Sequence, residues 1–403
     1  MQRNGFRIGT LFGIDIRIDW SWLLIFVLMT GNLGFAFASM HGGWSVPLRW
    51  AVALVGALLF FGSVLAHEMA HSLVARSQGT PVSNITLFLF GGVSNIQEEP
   101  DSPAKEFFMA IVGPVTSLLI GGILILIANL VAGPMVARMA GPMETIQELG
   151  PVATLMLWLG SVNVFLGLFN LVPGFPLDGG RVIRSIFWAL TDDLRRGTFW
   201  AMWLGQGIAW LMIMAGIFSI FGVKIPLVGG GFLNGLWLAF IGWFLSNAGI
   251  RSYQHVVVQD VLGGTPVSRM MRRDPPTVSS FVSVDSFVHD HVMRSDDYGF
   301  PVVDDGELVG IITLDDVRAI SRGEWTDLSV RDIMTKAEDL ITVGPDEDAA
   351  DALQKLINNQ VRQLPVMEDE KLVGLVRRRD IVRWLEVTGE AERGLGLGTL
   401  GET

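Results

Sequence analysis

The sequence predicts an α-helical polytopic membrane domain with six spans and a short β-hairpin insertion, followed by a soluble α/β module. Half of the 403 residues are hydrophobic and only 17% are charged. Runs that reach the roughly 17–25 apolar residues needed to cross a bilayer occur six times, all before residue 251. They lie near 20–39, 50–75, 107–132, 151–171, 199–222 and 227–250.

The character of the chain changes after Arg251, because no later apolar run approaches spanning length. We therefore expect a membrane domain over 1–250, a linker over 251–266, a soluble module over 267–388 and a flexible, Gly-rich tail over 389–403. The net charge of −11 argues against a nucleic-acid partner. The chain has no cysteine, which excludes disulfides and thiolate metal ligands.

The basic residues of the short loops predict the orientation, because cytoplasmic loops are enriched in Lys and Arg. One side of the predicted membrane collects Arg3, Arg7, Arg17, Arg76, Lys105, Arg181, Arg184, Arg195, Arg196 and Arg251. The other side has Arg49, Arg138 and Lys224. Both termini should therefore be cytoplasmic, as six spans require, in a multi-pass protein of the cell membrane.

The most specific chemical signal is the pentapeptide HEMAH at residues 67–71, which lies inside the second apolar run. A charged side chain at such depth costs about 2.5–3.5 kcal/mol, so it needs a partner. Residues four apart share a helix face, which lets His67 and His71 contact one divalent ion while Glu68 lies near a metal-bound water. The alternative is a pair of packing histidines with a stray acid, as in the proton relay of a transporter.

A third metal ligand is available where the fourth run ends, in the segment NLVPGFPLDGG at residues 170–180. Asp178 is the first charge met after the uncharged stretch 151–177. The two prolines should break the helix, and the two glycines should permit backbone angles closed to other residues. Two histidines and one aspartate leave the fourth position of a zinc ion open for water. Taken alone, Asp178 could instead be an ordinary surface residue of a helix-terminating turn.

These motifs resemble the site-2 protease family, and more narrowly its archaeal and sporulation-type branch. The resemblance rests on HEMAH within a span, on segment 170–180 and on Gly113-Pro114 in the third run, and it covers roughly residues 1–250. It implies that peptide bonds are hydrolysed within or beside the bilayer by one zinc ion per chain.

The resemblance also implies roles for individual residues. His67, His71 and Asp178 would hold zinc, which lowers the pKa of its bound water toward about 7. Glu68 would act as the general base, and Asn170 would bind the scissile carbonyl oxygen or its oxyanion. For Asn170 the alternative is a structural role, in which its side chain caps or braces the end of the fourth helix.

A β-hairpin is predicted between the second and third runs, over residues 81–96, with its turn at Gly91-Gly92. An exposed strand edge beside the metal could hold an unwound substrate segment by strand addition. The alternative is an interfacial hairpin that only covers the site.

The soluble module is an internal repeat. Residues 301–316, PVVDDGELVGIITLDD, align with residues 365–380, PVMEDEKLVGLVRRRD, at an offset of 64. The pattern resembles a tandem cystathionine-β-synthase (CBS) pair, with repeats over about 267–325 and 326–388. The resemblance implies α/β modules that commonly dimerise, so a homodimer is expected, and that bind adenine nucleotides such as ATP, ADP or AMP.

The nucleotide signature of such pairs places a Ser or Thr three residues before an Asp. The first repeat has it as Thr313 and Asp316, whereas the second has Arg377 in place of the hydroxyl, with Asp380 retained. Arg377 could itself contact phosphate. The alternative is a CBS pair that serves only as a scaffold for dimerisation or docking.

The leading functional hypothesis is an intramembrane zinc endopeptidase that cuts transmembrane segments near the cytoplasmic face and is regulated by nucleotide at the CBS pair. By family resemblance its substrates would be single-span membrane proteins, such as anti-sigma factors or pro-proteins. One rival is a CBS-regulated transporter or channel, which predicts related halves that the six runs do not show. The other is a proteolytically inactive receptor on the same fold.

Overall fold

A computed structural model describes residues 5–89, 91–96, 100–132, 148–225 and 230–387. The chain forms two compact units that divide between residues 253 and 254. The predicted tail, 389–403, lies outside the described residues.

The six predicted spans are confirmed as helices long and apolar enough to cross a membrane, so the chain is a multi-pass membrane protein. They are α1 (Trp20–Met40), α2 (Val46–Ser77), α3 (Pro103–Ala132), α4 (Pro151–Asn170), α6 (Leu194–Ile220) and α7 (Phe232–Leu262). The main difference from the prediction is α7, which continues to Leu262, so that the first part of the expected linker 251–266 is helical.

A shorter helix that the sequence did not reveal, α5 (Asp178–Thr191), follows α4 after a non-helical turn. Its apolar residues are interrupted by Arg181 and Arg184, and the resulting composition hid it from a search for spanning runs. Asp178 is therefore the first residue of a helix, where an acidic side chain is stabilised by the free N–H groups and the helix dipole.

The predicted hairpin is present as β3 (Val82–Phe88) and β4 (Gly91–Ile96), but Gly91 and Gly92 lie inside β4 and not in the turn. The hairpin belongs to a four-stranded sheet with β1 (Gly5–Leu11) and β2 (Ile14–Asp19), in the order β1-β2-β3-β4. Strands β2 and β3 are parallel and the other two pairings are antiparallel.

The two N-terminal strands, β1 and β2, were not predicted from the sequence. Their signal was the strict alternation in β2, where Ile14, Ile16 and Ile18 are buried and the residues between them are not. Phe12 and Gly13 both have positive φ angles and form the turn into that strand.

The soluble unit is a pair of α/β repeats, as predicted. Its strands are β5 (Arg272–Arg273), β6 (Gly299–Asp304), β7 (Glu307–Thr313), β8 (Thr335–Lys336), β9 (Gln363–Glu368) and β10 (Lys371–Arg377). Its α-helices are α8 (Val284–Asp290), α9 (Leu314–Arg318), α10 (Val330–Ile333), α11 (Ala349–Asn358) and α12 (Arg378–Val387).

The two repeats exchange their leading strands. The first sheet has the order β6-β7-β8 and the second β5-β10-β9, so the first strand of each repeat completes the sheet of the other. Each sheet packs on its own apolar core, one around Phe300 and Ile312 and the other around Val366 and Val376. The exchange holds the two cores together as one unit.

Candidate metal centre

Two histidines and one aspartate meet at one point of the membrane unit. His67 and His71 project from one face of α2, and Asp178 reaches them from the first turn of α5. Asp178 Oδ2 lies 3.1 Å from His67 Nε2 and 3.3 Å from His71 Nε2, and the two Nε2 atoms are 3.2 Å apart. Both imidazoles are buried.

The other nitrogen of each imidazole is held by helix α3. His71 Nδ1 lies 2.6 Å from the carbonyl oxygen of Met109, and His67 Nδ1 lies 2.9 Å from Ser117 Oγ. A carbonyl oxygen only accepts hydrogen bonds, so His71 Nδ1 donates and, in the neutral ring, Nε2 carries the lone pair. This is the orientation in which a histidine binds a metal.

The donor set fits a zinc ion. Tetrahedral zinc with bonds of about 2.0–2.1 Å places its ligand atoms about 3.3 Å from one another, close to the spacing of these three atoms. Two nitrogen lone pairs and a carboxylate at such distances repel one another unless a cation or protons lie between them. Burial by itself would raise the pKa of the Asp178 carboxyl, but where no metal is bound, hydrogen bonds and charge from protonated His67 and His71 hold that pKa below its usual range.

Gly113 on α3 leaves the space that the two imidazoles need. A Cβ at this position would collide with His71 Nε2 and lie 2.8 Å from His67 Nε2. In the sequence, Gly113 stood out only as part of the Gly113-Pro114 motif that resembles the site-2 protease family. Its contact with both rings shows why a residue without a side chain is required there.

Glu68 stands apart from the three ligand candidates and is fixed by strand β4. Ser94 Oγ donates a hydrogen bond of 2.9 Å to Glu68 Oε2, and Ser72 Oγ lies 3.1 Å from Ser94 Oγ. A Cβ at Gly92 would overlap the Glu68 side chain. The hairpin therefore packs directly on this carboxylate, a contact that the sequence did not reveal because Ser94 carries no recognisable motif.

Asn170 is the last residue of α4. Its Nδ2 donates to the carbonyl oxygen of Leu166 at 3.0 Å, one turn earlier in the same helix. This contact corresponds to the bracing alternative, and the role of Asn170 toward a substrate carbonyl stays a prediction.

The CBS residues form two different arrangements at equivalent positions. In the first repeat, Thr313 and Asp316 cap α9, with Thr313 Oγ1 donating to Asp316 Oδ2 at 2.7 Å. In the second, Arg377 donates to both carboxylate oxygens of Asp380, at 2.7 and 2.8 Å, and to Asp297 Oδ1 at 2.6 Å.

Asp297 is the centre of an ion-pair cluster. Arg272 donates to its Oδ2 at 2.6 Å and Arg379 to its Oδ1 at 2.9 Å, in addition to the contact from Arg377. The side chain of Asp297 is only 4% exposed. Asp297 precedes β6, whereas Arg377 is the last residue of β10 and Arg379 lies in α12, so the cluster joins the two repeats.

Comparisons with known proteins agree with these features. A sequence profile of Peptidase family M50 matches residues 55–214, and the CBS domain profile matches residues 267–323 and 330–387. Rip3 of Mycobacterium tuberculosis, provisionally named a zinc metalloprotease, is 31% identical over 389 residues, which is 96% of this chain and 94% of that protein. A Synechocystis protein, sll0528, with the same provisional name, is 32% identical over 96% of this chain and 97% of its own length.

Among solved structures, the site-2 protease from Methanocaldococcus jannaschii matches 62% of this chain and 95% of its own, with 25% identity and a TM-score of 0.39. The near full-length similarity to the two curated relatives decides the assignment. The chain belongs to Peptidase family M50, the site-2 protease family, and is a membrane zinc metalloprotease with a tandem CBS pair.

Proposed function

We propose that this protein is an intramembrane endopeptidase that cleaves transmembrane segments of single-span membrane proteins near the cytoplasmic face of the cell membrane, with both of its own termini in the cytoplasm. Anti-sigma-factor-like proteins and pro-proteins are the expected substrate classes. The observation that carries the proposal is the convergence of one ligand atom each from His67, His71 and Asp178 within 4.8 Å of one another, inside a bundle of spanning helices.

In the proposed reaction His67, His71 and Asp178 hold the metal, which when bound supplies a Lewis acid and lowers the pKa of water. Glu68 accepts the proton of the attacking water and delivers it to the leaving amine. Ser94 keeps the Glu68 carboxylate in one orientation through its hydrogen bond. Asn170 would have to release Leu166 O before its amide could bind the substrate carbonyl.

Strand β4 is the proposed place for the substrate. It is an edge strand of the four-stranded sheet within the described residues, and Ser94 and Gly92 bring it against Glu68. A substrate helix must unwind before a peptide bond is accessible, and an edge strand can bind the unwound segment through its backbone. The same strand would thus present the peptide and hold the general base.

The proposal is tested by zinc analysis of the full-length chain purified in detergent without chelators. Wild type should contain about one zinc per chain. His67→Ala and Asp178→Ala should lose it, whereas Glu68→Gln should keep zinc but lose cleavage of a transmembrane peptide, because Glu68 is assigned as base and not as ligand. A folded, metal-free wild type would favour the transporter or the inactive-receptor hypothesis. Zinc loss in Glu68→Gln would contradict the role of base.

Nucleotide regulation at the CBS pair is the second part of the proposal, and we place the nucleotide at Thr313 and Asp316. Gln363, which is buried, has an amide nitrogen without a hydrogen-bond partner in the part of the chain that the structure describes. Gln363 and Thr313 both flank Gly299. In the second repeat, by contrast, Arg377 already donates hydrogen bonds to both oxygens of the Asp380 carboxylate.

Equilibrium dialysis of the full-length chain against ATP, ADP and AMP tests this part. We expect binding that Asp316→Ala weakens and Asp380→Ala leaves unchanged. Dependence on Asp380 would contradict the choice of Thr313 and Asp316 as the site, and no binding of any of the three nucleotides would leave the CBS pair as a scaffold. Mass photometry of the same samples would test the expected homodimer.

A further inference from the structure

Helix α3 supplies none of the three proposed ligands, yet one of its faces contacts both histidines. Met109 O and Ser117 Oγ bind the Nδ1 atoms, and Gly113 makes room for the rings. Counting back from Gly113, Glu106 lies seven residues earlier, almost on the same line along the helix. The first turn of α3 therefore adds a fourth residue to this face.

Glu106 is a fully buried carboxylate that contacts helix α5. Arg184 Nε donates to Glu106 Oε1 at 2.7 Å, and a second nitrogen of Arg184 contacts the same oxygen. Arg181 Nε lies 3.6 Å from that oxygen. Glu106 is 0% exposed and Arg184 only 5%. Glu106 Oε2 has no hydrogen-bond partner among the described residues.

Such a buried ion pair contributes little net free energy to holding two helices together. Burying both charges costs about as much as their attraction returns, so a buried ion pair adds little net stability compared with apolar packing. What it adds is a defined orientation of one helix relative to the other, because a guanidinium binds a carboxylate in a fixed geometry. The pair fixes the rotation and axial position of α5 against α3.

The position of α5 determines where Asp178 lies. Arg181 and Arg184 follow Asp178 by one and two turns of the same helix, so all three side chains move with it. A slip of one residue would turn Asp178 by about 100° and shift it by about 1.5 Å. Gly179 and Gly180 pack directly on the turn after α4, and a Cβ at Gly180 would lie 2.7 Å from Phe175 N.

We propose that Glu106 is a positioning residue of the metal centre, which through Arg184 and Arg181 holds α5 so that Asp178 faces His67 and His71. Helix α3 then places all three ligands: two by direct contact with the imidazoles and the third through the ion pair. The inference rests on the proposed function, because it takes these three residues as the zinc ligands.

The test is zinc affinity, measured by competition with a chelator on the full-length chain in detergent. Glu106→Gln keeps the shape and an acceptor oxygen but removes the charge. We expect its zinc affinity to fall about 10–100-fold, the range found when groups that orient metal ligands are lost. Lys105→Gln is the matched control, because Lys105 is adjacent in the helix but pairs with the exposed Asp101.

Comparing single and double variants of Glu106 and Arg184 distinguishes a positioning role from a general loss of stability. Arg184→Gln should weaken zinc as Glu106→Gln does, and the double variant should be no worse than either single variant, since both remove one contact. If Glu106→Gln fails to fold, Arg184→Lys keeps the charge and should show a smaller loss in the same direction. Glu106→Asp should recover part of the affinity.

Zinc affinity within about threefold of wild type in both Glu106→Gln and Arg184→Gln would overturn the inference, and so would equal losses in Lys105→Gln. Zinc retained in His67→Ala would instead overturn the proposed ligand set. Zinc lost in His67→Ala but unaffected in Glu106→Gln would leave the proposed function intact and remove only the role of Glu106.

Discussion

Asp178 of the membrane unit and Asp297 of the soluble unit are two carboxylates withdrawn from solvent, and their partners differ in kind. Asp178 faces two imidazole nitrogens at 3.1 and 3.3 Å. Asp297 faces guanidinium groups of Arg272, Arg377 and Arg379 at 2.6, 2.6 and 2.9 Å. Each group of residues is drawn from distant parts of the sequence.

The difference separates a site that receives a cation from one that is already complete. Three guanidinium groups are permanent cations, so Asp297 is neutralised by the chain itself. Neutral imidazoles offer lone pairs, so the group around Asp178 lacks a positive charge until a metal or protons supply it. A cluster of ligand-type residues therefore indicates a metal site most clearly where the chain provides no cation of its own.

The largest expected effect comes from filling the space between the histidines. Gly113→Ala places a methyl group that would collide with His71 Nε2 and lie 2.8 Å from His67 Nε2, so we expect zinc content to fall below detection and cleavage to be lost. Gly122→Ala is the matched control on the same helix, because a Cβ there meets nothing within 4 Å. Elemental analysis of both variants checks the prediction, and normal zinc in Gly113→Ala would mean that α3 does not limit the site.

The second-largest effect is expected when the ion-pair cluster around Asp297 is disrupted. Asp297→Ala leaves the arginines without their shared carboxylate and should destabilise the soluble unit by about 2 kcal/mol, less than for a fully buried pair because Arg272 and Arg379 are 40% and 52% exposed. Hydrogen exchange of β6 and β10 in the full-length chain measures this. Asp296→Ala is the exposed control, and zinc content should not change in either variant.

A smaller effect is expected from the hydrogen bond that orients His67. Ser117→Ala removes the partner of Nδ1 and should weaken zinc binding about tenfold, since the ring loses its fixed orientation. Chelator competition is the measurement. Ser161→Ala is the control, because Ser161 is exposed and bonds only to its own helix. Equal zinc affinities in the two variants would show that packing alone orients His67.

The smallest effect is expected from removing the hydrogen bond that Ser94 donates to Glu68. Ser94→Ala should leave zinc content unchanged and lower kcat for a transmembrane peptide by about threefold to tenfold, which corresponds to the net contribution of one ordinary hydrogen bond. Ser94→Thr should restore kcat because the hydroxyl is kept. A change in KM alone would indicate that Ser94 acts on substrate binding through β4 and not on Glu68.

The sequence by itself determined the elements that depend on local pattern. Six apolar runs of spanning length became six helices, and the 64-residue offset became two α/β repeats, because run length and repeat period are properties of neighbouring residues. The spacing of HEMAH also placed His67 and His71 on one face, since a helix fixes that geometry.

Only the tertiary structure decided which distant residues meet. Met109 and Ser117 look like ordinary residues of a spanning helix until α3 packs against α2, and only that packing shows that Gly113 makes room for both imidazoles. Gly179 and Gly180 are the converse case: they were expected to supply unusual backbone angles, but both are helical and serve close packing.

The pairing of Arg377 with Asp297 was likewise decided only by the tertiary structure. The sequence marked Arg377 as a departure from the nucleotide signature, but its second carboxylate comes from the other repeat, 80 residues earlier. Side-chain partners across such separations depend on how whole elements pack, which local composition and periodicity do not encode.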